Sequence, residues 1–479
     1  MKRVYSLMNI PVLSAISELD PAPRRFLGFV CFNVLSWQCI VGPVLVLFAR
    51  SIEMPPSWVG VLISMLPLSM LLVALTIHLV TRWGPKRVMF TAWIFRYLFV
   101  SLVFIMPWAM ARWGDRSAWH VLLIATLGFC LVRAIGAGSW FPWLHDIVPA
   151  TQRATYFSTE TSISQIINVA VAFTLGALLK GTPSMGRFLS IYAVGVSAGL
   201  TSLVWMAKIP GGAGLSHPIT MRQSFSSYRV PLNDRAFLGF VALGTACICC
   251  MNWLSASLVM YMRDAVGMSS KAIMYITAMG SLGILLTIRS WERFSNHHGS
   301  GHTMALTLTA YSISALMAIF MIPGASWTPI GLLAVVSLSS LFNAAFWVAA
   351  LRTLMGYLQQ EYRAGYNSVW TVMASLASGL TPILVGQVIH RWGLQGFRLC
   401  FLITGLGGLA CAVATRFRVE NVVPVPASMM LLFHPSLRLR TLARIAWITL
   451  GFHESNSALP PPATTKPRQG TIDKDPSPT

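Results

Sequence analysis

The residues that could do chemistry in this chain are the few polar and ionisable side chains that interrupt its long apolar runs. Of the 479 residues, 55% are hydrophobic and 10% are charged, and the mean hydropathy is +0.65. A polar side chain in hydrocarbon is costly, so it tends to face an interior cavity and to mark function. Arg133 is the strongest such residue because it lies deep within an apolar run. Its chemistry would be the binding of a polar or anionic group, or a bridge to Glu160 or Asp146.

The sequence does not predict catalytic chemistry, so we expect no enzyme activity, no cofactor and no metal. No nucleophile and base are suitably paired, and no Gly-x-x-x-x-Gly-Lys-Ser/Thr loop is present to bind a nucleotide. All eight cysteines lie within apolar runs, where a thiol behaves as a small hydrophobe. The cluster of Cys247, Cys249 and Cys250 lacks the partners and the spacing of a zinc motif.

The elements that must position these side chains are membrane-spanning helices. Crossing roughly 30 Å of hydrocarbon takes about 20 apolar residues, because the backbone must satisfy its own hydrogen bonds there. Twelve runs meet this requirement: 26–49, 58–80, 88–108, 118–140, 160–179, 188–207, 236–262, 272–290, 303–323, 328–351, 367–389 and 396–415. The sequence therefore predicts an all-α integral membrane protein with twelve transmembrane helices.

A short repeat divides the chain into two halves. RATYFS at 153–158 precedes the fifth run, and RAGYNS at 363–368 precedes the eleventh. These equivalent positions predict two pseudo-symmetric six-helix bundles, with Arg153 and Arg363 as cytoplasmic hinges or as simple topological anchors. The predicted domains are an N-terminal segment 1–25, bundles 26–208 and 236–416, a linker 209–235, and a basic, Pro-rich tail 417–479 with an interfacial helix near 437–452.

The distribution of charge predicts how the bundle is oriented. An even number of spans places both termini on one side, and the two tails are rich in Lys and Arg, so we expect both to be cytoplasmic. The formal charge of +21 favours contact with anionic lipid headgroups. We expect no nucleic-acid partner, because no basic groove with interleaved aromatic residues is present. A monomer in the plasma (inner) membrane is the expected form.

Over roughly 26 to 416 the chain resembles the major facilitator superfamily. The family signature Gly-x-x-x-Asp-Arg-x-Gly-x-Arg/Lys-Arg/Lys corresponds to 77–87. Here Arg82, Gly84, Lys86 and Arg87 fit the pattern, whereas Thr81 replaces the acidic residue. The resemblance implies a cytoplasmic gate at these four residues without its acidic latch, although a plain basic loop explains them as well.

Two further segments extend the resemblance along the first half. Residues 131–138, which contain Arg133, are similar to the family's fourth-helix pattern, and 143–149 followed by Arg153 look like its loop between helices four and five. Asp146 and Arg153 thereby become further candidates for the cytoplasmic gate or hinge. Glu160, as a possible partner of Arg133, and Arg363, as the counterpart of Arg153 in the repeat, complete this set of candidates.

In this family helices one, four, seven and ten line the central cavity. The resemblance therefore implies that the polar and aromatic residues of these helices contact the substrate: Asn33, Trp37, Gln38, Arg133, Asn252, Trp253, Asn343 and Trp347. Each Asn could instead form a hydrogen bond between helices, and each Trp could simply pack in the core.

The resemblance implies a secondary-active or facilitative transporter that moves a small polar or anionic organic solute by alternating access. Few acids or histidines lie near the middle of the spans, which favours facilitated diffusion, or coupling through an ion or counter-substrate, over proton coupling. The alternative is a transporter-like membrane protein that moves nothing and acts as an assembly factor or sensor. Apolar side chains plugging the cavity would distinguish that alternative.

Overall fold

The computed structural model describes residues 16–17, 19–149, 152–181, 183–213, 229–357 and 363–419. The inter-bundle linker is thus described only at its two ends, where the short helix Arg229–Asn233 precedes the second half. The predicted interfacial helix near 437–452 lies outside the described residues.

The first half of the chain forms six helices, several of them built from consecutive segments. Their bounds are α1 Pro21–Ile40 and Pro43–Ser51; α2 Pro56–Ser69, Met70–Leu75 and Ile77–Trp83; α3 Pro85–Ser101, Leu102–Ile105 and Met106–Trp113; α4 Ser117–Ala137 and Trp140–Ile147; α5 Arg153–Leu178; and α6 Met185–Ala207.

The second half repeats this arrangement. Its helices are α7 Arg235–Met260, continued by Tyr261–Ala265; α8 Ser270–His298; α9 Ser300–Ile319; α10 Thr328–Tyr357; α11 at 363–392; and α12 at 394–418.

Eleven helical segments of the described chain are long and apolar enough to cross a membrane. The last, Gly365–Arg418, has 54 residues, which as one straight helix would extend about 80 Å, far beyond the membrane. It is interrupted at Gly393, where φ is 52°. A Cβ on Gly396 would lie 3.0 Å from the Cα of Ile389, so the chain folds back there. The segment therefore contains two helices, and the predicted all-α, twelve-helix fold is confirmed.

The two halves meet through two helix pairs, α2 with α11 and α5 with α8. Since helix n of the first half corresponds to helix n+6 of the second, these pairs are related by the pseudo-symmetry. At the first pair the backbones nearly touch: a Cβ on Gly60 would lie 2.3 Å from the carbonyl oxygen of Pro382 and 3.1 Å from the Cα of Gly386. At the second, a Cβ on Gly176 would lie 2.4 Å from the ring of Tyr275.

Helix α1 is broken in its middle, which the sequence did not lead us to expect. Gly42 has φ of 76°, and Pro43 starts the second segment. Proline lacks a backbone N–H and cannot continue the preceding helix, while glycine tolerates a positive φ. Irregular backbone at membrane depth is tolerated where it is buried in protein or lines a cavity.

Candidate functional site

A chamber of about 430 Å³ lies between the two halves. The break in α1 forms part of its wall, and so do Pro67 of α2 and Pro382 of α11. Its polar lining consists of Thr126 on α4, Asn252 and Ser255 on α7, and Ser378 on α11, together with the Cys130 thiol. The remaining wall is aliphatic: Val41, Leu45, Val46, Leu62, Ile63, Leu66, Ala256 and Val259.

A second cavity of about 310 Å³ adjoins the chamber on the side of the second half. Pro43, Ser255 and Val259 line both spaces. The second cavity lies among α7, α8 and α10, and Asn343 contributes to its wall.

Two of the predicted substrate residues therefore lie on cavity walls, Asn252 in the chamber and Asn343 in the second cavity. The amide of Asn252 donates to the hydroxyl of Ser378 over 3.3 Å, and its oxygen accepts from Ser255 over 3.3 Å. These contacts connect α7 to α11 and leave three polar side chains together at the chamber wall.

Arg133 lies one helical turn beyond Cys130 on α4. Its Nη1 is 3.3 Å from the thioether sulfur of Met70, and its guanidinium carbon is 4.7 Å from the ring centroid of Trp37. Neither Asp146 nor Glu160 forms an ion pair with it in the described part of the chain. The bridge that the sequence left open for Arg133 is thus not formed.

Asn33 and Gln38 connect helices within the first half. The side-chain oxygen of Asn33 accepts from Trp93 over 3.0 Å and from Arg96 over 2.6 Å, while Gln38 donates to Asn168 of α5 over 2.7 Å. For Asn33 these bonds match the alternative interpretation, a hydrogen bond between helices, and Gln38 forms a bond of the same kind. Trp253 and Trp347 are likewise half-buried against the core.

The basic loop after α2 holds the end of α6. Gly84 has φ of 86° and joins α2 to α3. Lys86 then donates to the carbonyl of Ala207 over 3.0 Å and also to that of Ile209, and Trp143 donates to Pro210 over 3.1 Å. The ammonium group thereby meets the unsatisfied carbonyls at a helix C-terminus, where positive charge is favourable.

The other predicted gate residues are more scattered. Arg82, Arg87 and Asp146 are exposed, and Glu160 is half-buried. Arg153 and Arg363 are the first residues of α5 and α11, and their side chains lie outside the described part of the structure.

The end of the bundle away from the termini carries a contact that sequence reasoning missed. Arg50 at the end of α1 and Asp264 at the end of α7 form an ion pair, with Nε and Oδ1 2.9 Å apart. Because α1 and α7 are equivalent helices of the two halves, a search for opposite charges at equivalent helix ends would have found it.

Comparison with known proteins agrees with this architecture. A sequence model described as Major Facilitator Superfamily matches residues 241–452. The resemblance to the major facilitator superfamily is confirmed. Among curated proteins, none matches the chain by sequence.

Solved structures share the facilitator fold at low sequence identity. A variant of the nucleoside transporter NupG aligns with a TM-score of 0.63 at 12% identity, covering 83% of this chain and all of that one. A D-xylose-proton symporter aligns at 0.64 and 12%, covering 83% and 98%. A bacterial homologue of the human lysosomal transporter Spinster, in an inward-facing and unoccupied conformation, aligns at 0.55 and 14%, covering 86% and 95%. At such identities the likeness shows the fold.

Proposed function

We propose that this facilitator-fold protein is a transporter that moves a small polar or anionic organic solute by alternating access. The observation that carries the proposal is the chamber between two pseudo-symmetric halves. A binding site in that position can open to either side of the membrane when one half rocks against the other.

The contacts between the halves support this mechanism. The Arg50–Asp264 pair, the approach of Gly60 to Gly386, and the packing of Gly176 on Tyr275 all lie towards the end away from the termini. In this conformation that end is held together, so the solute would enter or leave on the side of the termini. Transport requires these contacts to separate and equivalent ones to form at the opposite end.

The chamber also bears on the alternative function. An assembly factor or sensor with a transporter-like fold would not need an internal space and could fill it with apolar side chains. A chamber of about 430 Å³ is within the range of small-molecule sites, which supports transport. The proteins of similar structure include a nucleoside transporter and a D-xylose-proton symporter, which supports transport here in general terms only.

Energy coupling and orientation complete the proposal. No acidic or histidine side chain lines either cavity in the described part of the chain, which supports facilitated diffusion or coupling through another ion or counter-substrate. We place both termini and the basic surface on the cytoplasmic side of the inner membrane, in contact with anionic lipids, and expect a monomer.

Transport by purified protein in liposomes tests the proposal. Uptake or counterflow would be measured for organic anions, sugars, nucleosides and amphiphiles, with Ser255→Trp as the variant that fills the chamber. Leu286→Trp is the matched control, because that side chain on α8 is 66% exposed at the bundle surface. We expect saturable uptake that Ser255→Trp abolishes and Leu286→Trp leaves intact. A folded protein that moves no member of the panel would favour the assembly-factor alternative.

A further inference from the structure

We propose that the solute is an amphipathic organic anion whose apolar body occupies the chamber and whose anionic group pairs with Arg133. This inference rests on the proposed transport function and specifies the chemical class of the solute. It follows from the position of Arg133 relative to the chamber, from the lack of a carboxylate beside it among the described residues, and from the chemistry of the chamber wall.

Three helices place Arg133 at one end of the chamber. On α4 the wall residue Cys130 precedes Arg133 by one turn. On α1 the wall residue Val41 follows Trp37 by one turn, and on α2 the wall residue Leu66 precedes Met70 by one turn.

The helix directions show which end this is. Helix α1 runs away from the terminal side, whereas α2 and α4 run towards it. Arg133 and the two residues that it contacts therefore form a layer about 5 Å from the wall residues, on the side of the termini. A solute that enters from that side reaches the guanidinium before it reaches the apolar chamber.

The guanidinium of Arg133 has unused binding capacity. Arginine carries five N–H donors in a planar fork that matches a carboxylate or a phosphate. The hydrogen bond found for Arg133 in the described structure goes to the sulfur of Met70, and a thioether is a weak acceptor. Trp37 provides a ring face at 4.7 Å but accepts no strong hydrogen bond. A ligand anion would supply the strong acceptors that the described residues do not.

A second cation adds to the positive potential of this layer. Arg96 on α3 is 1% exposed and packs over Trp93 at 4.3 Å and over Phe129 at 5.2 Å. Its acceptors are the neutral side chains of Asn33 and Tyr97. The ion pair found among the described residues lies elsewhere, between Arg50 and Asp264. Within the described part of the chain, neither Arg96 nor Arg133 is paired with a carboxylate. Two such charges favour an anion.

The chamber wall indicates that the rest of the solute is apolar. Its aliphatic residues outnumber the few polar groups, three of which, Asn252, Ser255 and Ser378, lie together. A highly hydroxylated solute would leave several of its hydroxyls facing Val, Leu and Ile side chains without hydrogen bonds, which is costly. An organic acid with an aromatic or short alkyl body has both the anionic group that pairs with Arg133 and the apolar surface that suits the chamber wall. One hydroxyl or carbonyl at its far end could pair with Asn252.

Matched ligand pairs test the inference without altering the protein. The full-length protein in detergent would be titrated with n-alkyl and aromatic carboxylates and with their primary amides, and thermal unfolding would report binding. The inference predicts that each carboxylate that fits binds about tenfold or more tightly than its amide, since hydrogen bonds to charged groups are the stronger ones. Equal stabilisation by the amides would overturn the anion requirement.

Two variants locate the site. Arg133→Gln should remove the preference for carboxylate over amide, whereas Arg112→Gln, which removes an exposed charge at the end of α3, should retain it. Ala256→Leu narrows the chamber and should weaken binding of the longest carboxylates most. If Arg133→Gln does not fold, Ala256→Leu and the ligand pairs still decide the question. Saturable uptake of a sugar or nucleoside, with no carboxylate binding, would overturn this inference and leave the transport proposal standing.

Discussion

Arg50 and Asp264 join the two halves of the protein through an ion pair of 2.9 Å at the end away from the termini. Their side chains are 21% and 19% exposed, so the pair is partly shielded from solvent. Arg50 lies in the last turn of the second segment of α1, and Asp264 lies in the last turn of α7. The residues thus occupy equivalent ends of equivalent helices, where their contact adds to the packing at Gly60 and Gly176 in opposing separation of the halves.

Removing this pair should loosen that end of the bundle. For Asp264→Asn we expect the free energy of the separated state, relative to the state in which this end is closed, to fall by about 1 kcal/mol. This is the upper range for partly exposed ion pairs. Hydrogen exchange in residues 50–55 and 261–268 should rise, and the charge swap Arg50→Asp with Asp264→Arg should restore protection. Glu53→Gln removes an exposed acid from the same loop and serves as the control. Unchanged exchange in Asp264→Asn would show that the pair does not hold the halves together.

Gly60 should tolerate no larger side chain. A Cβ there would lie 2.3 Å from the backbone oxygen of Pro382, and backbone cannot move aside as a side chain can. We expect Gly60→Val to force α2 and α11 apart and thereby to lower the unfolding free energy by about 1–3 kcal/mol. Gly283→Val on α8 is the matched control, since nothing lies within 4 Å of its Cβ position. Equal thermal stability of the two variants would contradict the close approach of these helices.

Asn33 and Asn252 should behave differently although both were predicted to contact substrate. Asn33→Ala leaves the buried Arg96 without its amide acceptor, which should cost about 1–3 kcal/mol of stability. Asn252→Ala should reduce solute binding more than stability because it lies on the chamber wall. Thermal unfolding with and without a bound solute separates the two effects. A stable Asn33→Ala protein that cannot bind would place Asn33 in the binding site instead.

Lys86 should matter for stability more than its neighbour Arg87. Lys86→Met removes the cation that meets the carbonyls of Ala207 and Ile209, with an expected loss of about 0.5–1.5 kcal/mol. Arg87→Met removes an exposed charge from the same loop and should change stability little. Denaturation midpoints of the two variants give the comparison, and a reversed order would contradict the capping role.

The number of helices and the division into halves could be predicted because they depend on length and composition. Twelve apolar runs must each cross the membrane as a helix, and the repeat at 153 and 363 marks equivalent starts. Arg133 could be singled out for a similar reason, since a charge in an apolar run is costly wherever the helix faces.

The side chains of the chamber wall could not be predicted in the same way. Each residue along a helix rotates the direction of its side chain by about 100°, so packing decides which residues face a cavity. Asn33 points to Arg96, while the wall residues of α1 lie at and beyond the break at Gly42. Gly42–Pro43 was the available signal, because a glycine and a proline inside a span indicate a broken helix and a cavity.

Access to the chamber from both sides of the membrane tests the central claim most directly. Ser255→Cys, in a chain whose native cysteines are replaced, would be labelled with a membrane-impermeant maleimide in right-side-out and inside-out vesicles. Alternating access predicts labelling from both sides, with Asp264→Asn increasing the fraction reached from the side away from the termini. Labelling from one side only, in both the parent and the Asp264→Asn protein, would contradict the account.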